Sequence, residues 1–282
     1  MIPRSWLYVP ADDPSRLAKA VGRGADALII DLEDGVAPSA KKQARENLRS
    51  FLNSAPATPA IWVRVTSEPS ELQHDLDACL HDRLDGIVLA KAEDSRQIRD
   101  VAHHLATLTG ESRGLMPLIE TAAAVLDLST IASVPGVTQL QVGEADLRAD
   151  LGVTFGPDES ELLLVRQQVV LVSAARALLP PVAPVSVEFR DLGAFREGTE
   201  RLARMGFVGR ACIHPAQIEV AHDVFTPSPA EAAAARELII AAETAAKAGK
   251  GAFTDQAGRM VDEAVIRSAR RTISLADSAS SS

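Results

Sequence analysis

The chain has 282 residues, 46% hydrophobic and 24% charged, a length and composition that suit one large α/β domain or two small ones. Its 29 Lys and Arg against 38 Asp and Glu leave a net charge of −9, which argues against nucleic acid or an anionic membrane surface as a partner. Cys79 and Cys212 are too few for a disulfide framework or a cysteine-based zinc site, and they point to a reducing, cytoplasmic setting.

Eight short apolar runs follow one another at 6–9, 28–31, 61–65, 86–89, 116–119, 139–142, 185–189 and 211–213. Their starts lie 22 to 46 residues apart, and each interval carries helix-like sequence. Asp13 and Pro14 predict an N-cap and a first-turn proline ahead of Leu17, Ala18 and Val21, with Gly24 as the stop. Ser39 is placed to cap a helix over 40–52. Asp158, followed by Glu159 and Glu161, opens an apolar helical run over 162–179. The longest charge-free stretch, 128–143, contains Pro135 and several polar residues, whereas a membrane span needs about 20 mostly apolar ones. Asp12 and Asp13 arrive before any apolar region of signal-peptide length. Beyond His214 and Pro215 the pattern changes to an Ala-rich helix over 231–248, a turn over 249–253 and a last amphipathic helix over 262–275.

Most of the runs are apolar throughout, as strands of a parallel sheet buried on both faces are. Eight β units separated by helices predict an α/β chain folded as a (β/α)8 TIM barrel over 1–222, with a C-terminal helical extension over 223–276 and a disordered tail over 277–282. A doubly wound sheet gives similar local signals. It would also be expected to place a glycine-rich phosphate turn after its first strand, where Pro10-Ala11-Asp12-Asp13 stands instead.

Chemistry on such a barrel sits at the C-terminal strand ends. Those ends carry Asp31-Leu32-Glu33-Asp34 after the second run, Arg64 in the third, Lys91 after the fourth, Glu120 after the fifth, Glu144 and Asp146 after the sixth, and His214 after the eighth. Glu120 and Asp146 follow adjacent strands, which run about 4.8 Å apart. Either they cap the helices that follow, or they share a divalent cation such as Mg²⁺. Arg64 either closes the sheet by pairing with Asp31 or Glu33 or offers its fork to a substrate carboxylate. Lys91 is a Schiff-base candidate or, more ordinarily, an ion-pair partner. His214-Pro215 reads as a structural turn.

Seven pieces in order resemble the citrate lyase β-subunit-like family, whose relatives include malyl-CoA, citramalyl-CoA and 3-hydroxy-3-methylglutaryl-CoA lyases. They are Arg4-Ser5-Trp6-Leu7-Tyr8-Val9-Pro10, Asp31-Leu32-Glu33-Asp34-Gly35-Val36 with Lys41-Lys42-Gln43-Ala44-Arg45, and Val63-Arg64-Val65. Leu118-Ile119-Glu120-Thr121, Gly143-Glu144-Ala145-Asp146-Leu147, Cys212-Ile213-His214-Pro215 and Gly258-Arg259-Met260-Val261-Asp262 complete the set. The resemblance implies a barrel with a C-terminal extension, assembled as a homotrimer or hexamer. It implies Mg²⁺, with Mn²⁺ as the alternative ion, on Glu120 and Asp146. It places Arg64 on the substrate carboxylate, with Arg4, Lys41 and Arg45 toward the coenzyme A thioester and Glu33 and Asp34 around the catalytic centre. Asp262 would reach a neighbouring subunit's site as acid/base, whereas its own position, ahead of Glu263, Val265 and Ile266, reads as the N-cap of the last helix.

The pattern departs from the family at Thr66, where Asn is common, at Ala90, where Pro is common, and at Ala11, where Gly is common. In the related class II pyruvate aldolases a His follows the strand-two Glu; here Asp34 does, which favours the thioester branch. The resemblance therefore implies a carbon–carbon lyase that cleaves a 3-hydroxyacyl-CoA into acetyl-CoA and a keto acid. Its rivals are a malyl-CoA thioesterase, a citrate lyase subunit acting on an acyl-carrier protein, and a non-catalytic acyl-thioester-binding protein.

Overall fold

A computed structural model describes residues 2–109, 113–156, 158–247, 249, 252–255 and 258–280. The chain divides into a larger unit, Pro3–His222, and a smaller one, Asp223–Ser282 with the first two residues.

In the larger unit, strands β1 (Ser5–Pro10), β2 (Ala27–Asp31), β3 (Ala60–Val65), β4 (Gly86–Leu89), β5 (Gly114–Ile119), β6 (Gln141–Val142) and β7 (Arg210–Cys212) form one parallel sheet. Its order is β6-β5-β4-β3-β2-β1-β7. The helices between them are α1 (Pro14–Ala20), α2 (Lys41–Ser54), α3 (Pro69–Ala78), α4 (Ser95–Thr109), α5 (Ala122–Leu126), α6 (Leu128–Ile131), α7 (Glu144–Leu151), α8 (Leu163–Ala175) and α9 (Leu192–Met205). The unit boundary falls within α10 (Ala216–Phe225). α1 starts as its residues dictate: Pro14 occupies the first turn, and Asp13 Oδ1 accepts from the N–H groups of Ser15 at 2.9 Å and Arg16 at 3.2 Å. Gly24 ends the following 3₁₀ turn at φ 80°. Ser39 makes no cap. It lies inside a 3₁₀ turn opened by Pro38, and α2 begins at Lys41.

The predicted strand at 185–189 does not form. The chain meets the sheet slightly earlier, through isolated parallel bridges from Val182 to Gln141 and from Ala183 to Arg210. Val182 N–H donates to Leu140 O at 2.9 Å and Ala183 N–H to Gly209 O at 3.0 Å. Pro180, Pro181 and Pro184 flank them and have no N–H to extend the ladder. Val182 and Ala211 share one core cluster with Trp6, Ala27, Ile29, Trp62, Val88, Met116 and Leu118. Trp6 and Trp62 meet edge to face there, 5.4 Å between centroids.

The smaller unit holds α11 (Pro229–Lys247), a two-stranded antiparallel ribbon of β8 (Phe253–Thr254) and β9 (Met260–Val261), and α12 (Glu263–Ser280). α11 and α12 pack on each other, burying Ala232, Ala235, Ala242 and Ala269. Arg236 pairs with Asp277 at 2.5 Å. Residues 277–280, predicted as a disordered tail, therefore belong to α12; 281–282 lie outside the described residues. No described helix is long and apolar enough to cross a membrane.

Candidate active site

A cleft of about 400 Å³ opens where the strands end, lined among others by Tyr8, Asp31, Arg64, Glu120, Gln141 and Asp146. Parallel register sets Asp31 of β2 opposite Arg64 of β3. Arg64 donates from Nε to Asp31 Oδ1 at 2.7 Å and from Nη2 to Oδ2 at 2.6 Å, and its Nη1 lies 3.3 Å from Glu33 Oε2. Its guanidinium also covers the Tyr8 ring at 5.2 Å. Burial opposes this charge, but the Asp31 bonds outweigh burial and hold the Arg64 pKa above its usual value. Asp31 further accepts from the N–H groups of Glu33 at 2.9 Å and Gly35 at 3.0 Å, so one carboxylate fixes both the arginine and the loop. Gly35 is required by space, since a Cβ there would stand 2.2 Å from Asp31 Oδ2.

Lys91, in the turn just after β4, has a left-handed φ of 48°, a conformation that a non-glycine residue adopts only when its surroundings enforce it. Its N–H donates to Glu120 Oε1 at 2.6 Å. Its Nζ lies 2.8 Å from Glu33 Oε1 and 3.4 Å from Asp34 Oδ2, so Lys91 is an ion-pair partner. The Glu33 bond raises the Lys91 pKa; Asp34 is held below the usual carboxylate range because Lys91 and the Glu33 contact outweigh its partial burial.

Glu120 is 2% exposed, and burial pushes its pKa up to about 8. The Lys91 N–H opposes that rise and the charge of Asp146 adds to it. Gly143 leaves room for the Glu120 side chain, because a Cβ would fall 2.5 Å from its Oε2. Asp146 sits in the first turn of α7 and makes no side-chain hydrogen bond or ion pair among the described residues. Its neighbour Glu144 is fully engaged, accepting from Arg166 Nε at 2.6 Å and Nη2 at 2.8 Å.

Two adjacent carboxylates, one buried and short of donors and one unpaired, fit a hard divalent cation. No group of three or more His, Cys, Asp or Glu is placed to hold a metal among the described residues. The pair thus suits an ion that keeps several waters and leaves positions for substrate, which is the habit of Mg²⁺ rather than of Zn²⁺.

Three residues that the resemblance sets toward the thioester do not line the cleft. Arg4 lies at the opposite, N-terminal end of β1, forked onto Asp26 at 2.8 and 2.9 Å. Arg45 of α2 is held by Asp75 at 2.7 Å and by Glu71. Lys41 donates to the carbonyls of Leu32 and Glu33 and clamps the loop after β2. Each charge found a carboxylate or carbonyl closer than any open surface. Asp262, in the smaller unit, N-caps α12: its Oδ1 accepts from Ala264 N–H at 3.0 Å and Val265 N–H at 3.1 Å. His214 forms a turn, stacked on Phe189 with its Nδ1 accepting from Ala216 N–H. Sequence reasoning missed Tyr8 and Gln141. The Tyr8 hydroxyl donates to Gln141 Oε1 at 3.1 Å. The signal was present for Tyr8, whose polar tip in an apolar run must find a partner, whereas Gln141 shares its run with Gln139.

Residues 4–215 match the family model described as HpcH/HpaI aldolase/citrate lyase. The chain is 33% identical to the human mitochondrial citramalyl-CoA lyase, over 98% of this chain and 86% of that protein. It is 36% identical to a citrate lyase subunit beta-like protein of Deinococcus radiodurans, over 96% of each. It is 35% identical to a (3S)-malyl-CoA thioesterase of Cereibacter sphaeroides, over 97% of this chain and 94% of that one. Among solved structures, it resembles the protein CitE from Mycobacterium tuberculosis in complex with magnesium, acetoacetate and coenzyme A. That likeness has a TM-score of 0.81 and 29% identity over 98% of both chains. With three quarters of its length under one family model and relatives above 30% identity along nearly all of it, the chain belongs to the HpcH/HpaI aldolase/citrate lyase family.

Proposed function

We propose that the protein is a Mg²⁺-dependent carbon–carbon lyase that cleaves a 3-hydroxyacyl-CoA thioester, such as citramalyl-CoA, malyl-CoA or 3-hydroxy-3-methylglutaryl-CoA, into acetyl-CoA and a keto acid, or joins the two. The observation that carries this reading is the pair Glu120 and Asp146, neither of them in an ion pair among the described residues, beside the fixed cation Arg64 in one cleft. Similarity to a citramalyl-CoA lyase and to a structure holding magnesium, acetoacetate and coenzyme A supports it.

Mg²⁺ held by Glu120 and Asp146 would draw charge from the substrate's carboxylate and 3-hydroxyl oxygens and make the hydroxyl more acidic. The Lys91 N–H keeps Glu120 in place, and Gly143 leaves the room it needs. Arg64, locked by Asp31 and Glu33, presents a stationary positive charge to the substrate carboxylate. With the hydroxyl proton passed to solvent, the oxygen's electron pair closes the keto C=O at C3 and the C2–C3 bond breaks, its electron pair left on C2 of the thioester. Asp262 of a neighbouring subunit, in a trimer or hexamer, returns a proton to C2. Its Oδ1 serves the helix cap, and its Oδ2 carries no hydrogen bond among the described residues. On this reading Val182 and Ala183 are the short eighth stave of a closed (β/α)8 barrel, supported by their bridges to both sheet edges. A reducing compartment such as the cytoplasm suits two buried, free thiols.

The relative named as a malyl-CoA thioesterase favours one second reading, in which the acyl-CoA is hydrolysed. Incubation with Mg²⁺ and a panel of 3-hydroxyacyl-CoAs, followed by product identification, separates the two. Acetyl-CoA and keto acid in equal amounts support the lyase. Free CoA with an intact hydroxy acid supports the thioesterase, and no product from any thioester contradicts both.

A further inference from the structure

A second cavity, of about 510 Å³, lies between α7 and residues 185–187 and shares Glu144, Ala145 and Val185 with the cleft. Val153, Phe155, Val185 and Val187 give it apolar walls. Arg210, the first residue of β7, lines it and is only 6% exposed. Ala211 belongs to the central core, so by strand alternation Arg210 points the other way, toward α9. There its Nε donates to Pro184 O at 3.1 Å, and its Nη1 donates to Phe195 O at 3.0 Å and Thr199 Oγ1 at 2.6 Å.

All three acceptors are neutral. Arg210 forms no ion pair, and the two donors on Nη2 have no acceptor among the described residues. A buried cation without a counter-ion is costly, and burial lowers the Arg210 pKa to about 10. The carboxylates on the cavity wall, Glu144 and Glu159, offset it only in part, because both are engaged by other arginines. Glu144 is forked by Arg166, and Glu159 is shared by Arg166 at 2.9 Å and Arg201 at 3.4 Å. Arg148, whose guanidinium lies 5.0 Å over the Phe155 ring, adds a further positive charge to the lining. The site has a surplus of positive charge, a donor edge without an acceptor, and apolar walls.

We propose that this cavity is an organic-anion site, separate from the metal cleft, in which Arg210 Nη2 takes a carboxylate whose short apolar stem lies against Val153, Phe155, Val185 and Val187. Binding there needs neither metal nor thioester, so its failure is distinguishable from failure of the lyase reading. The test is calorimetric titration of the metal-free protein, in EDTA, with butyrate, 3-methylbutyrate, 1-butanol and inorganic phosphate. The two carboxylates should bind at a single site, at least about tenfold more tightly than the alcohol or phosphate. Arg210→Gln should weaken them about tenfold or more, the smallest effect expected from losing a charge-assisted hydrogen bond. Because Arg210→Gln removes three internal bonds and can impair folding, Ala149→Phe is the second variant. Ala149 is an exposed residue on the cavity wall, and its substitution fills the space without touching the bonds of Arg210. It should abolish carboxylate binding while leaving the melting temperature near that of the wild type. No saturable carboxylate binding overturns the proposal, as does unchanged affinity in Ala149→Phe. Phosphate binding as tight as butyrate overturns it too, since the apolar walls would then read nothing.

Discussion

Asp146 differs from the other acids around the cleft in having no partner among the described residues. Asp31 holds Arg64, Glu33 and Asp34 hold Lys91, Glu120 accepts from the Lys91 N–H, and Glu144 holds Arg166. An unpaired carboxylate beside a buried one contributes repulsion and no cohesion. Glu120→Gln and Asp146→Asn should therefore leave the metal-free protein within about 0.5 kcal/mol of wild type, while turnover falls about a hundredfold or more. Mg²⁺ should raise the melting temperature of the wild type and not of either variant. A variant that in EDTA melts several degrees below the wild type in EDTA would instead make the pair structural. Asp26 gives the opposite case. Burial disfavours its charge, yet the His222 and Arg4 bonds outweigh burial and hold its pKa well below the usual carboxylate range. Asp26→Asn should cost about 3–5 kcal/mol at pH 7, since it removes the buried charge that Arg4 and His222 hold. A depressed carboxylate stabilises above its unfolded pKa of about 3.9, and the contribution fades as pH falls through that value toward the folded one. Urea unfolding between pH 7 and 3 should show the gap between wild type and Asp26→Asn closing at the acid end. A constant gap would remove the charge from the explanation. At this scale the acids and Arg64 were legible, because charges that directly follow apolar strands are too costly for a core and must line an opening. The pairing of Arg64 with Asp31 and Glu33 was legible too; other pairings were not, since Arg4 finds Asp26 across 22 residues and Arg45 finds Asp75 across 30.

The elements position the site through four short loops, after β2, β4, β5 and β6. Gly35 and Gly143 are where those loops approach a carboxylate too closely for a Cβ. Gly143→Ala should displace Glu120, costing about 1–3 kcal/mol of stability and most of the Mg²⁺ affinity. Calorimetry with Mg²⁺ checks this directly; unchanged affinity would mean that Glu120 does not need the space. Strands β1 to β5 were readable because each is a continuous apolar run that fills both faces of the sheet. The stretch at 185–189 carried the same composition without the structure. Three prolines upstream limit the ladder to Val182 and Ala183, and Val187 ends up 74% exposed. Apolar character alone does not reveal which N–H groups are left to pair.

At the scale of the whole molecule, the chain joins a parallel-sheet unit that carries Glu120 and Asp146 to a helical unit that carries Asp262. As a cap, Asp262 contributes about 1 kcal/mol, and Asn caps as well, so Asp262→Asn should keep its stability. As a proton donor it should cost about 10²–10⁴-fold in turnover. In verified mixed oligomers, Asp262→Asn subunits combined with Arg64→Ala subunits should recover part of the lost activity. No recovery would confine Asp262 to its own chain or remove it from the reaction. The helices α11 and α12 were legible in Ala-rich and amphipathic sequence, and so was the Asp262 cap ahead of Glu263, Val265 and Ile266; that Oδ1 makes it appears only with the backbone of α12 in place. The claim on which the rest stands is carbon–carbon cleavage dependent on Glu120 and Asp146. The measurement that tests it most directly follows keto acid and acetyl-CoA from citramalyl-CoA, malyl-CoA and 3-hydroxy-3-methylglutaryl-CoA, using stripped wild type and Asp146→Asn before and after addition of Mg²⁺. The account predicts equal amounts of both products from at least one thioester, only with wild type and only after Mg²⁺ is added. The same products from the stripped enzyme, or from Asp146→Asn at the wild-type rate, would contradict it.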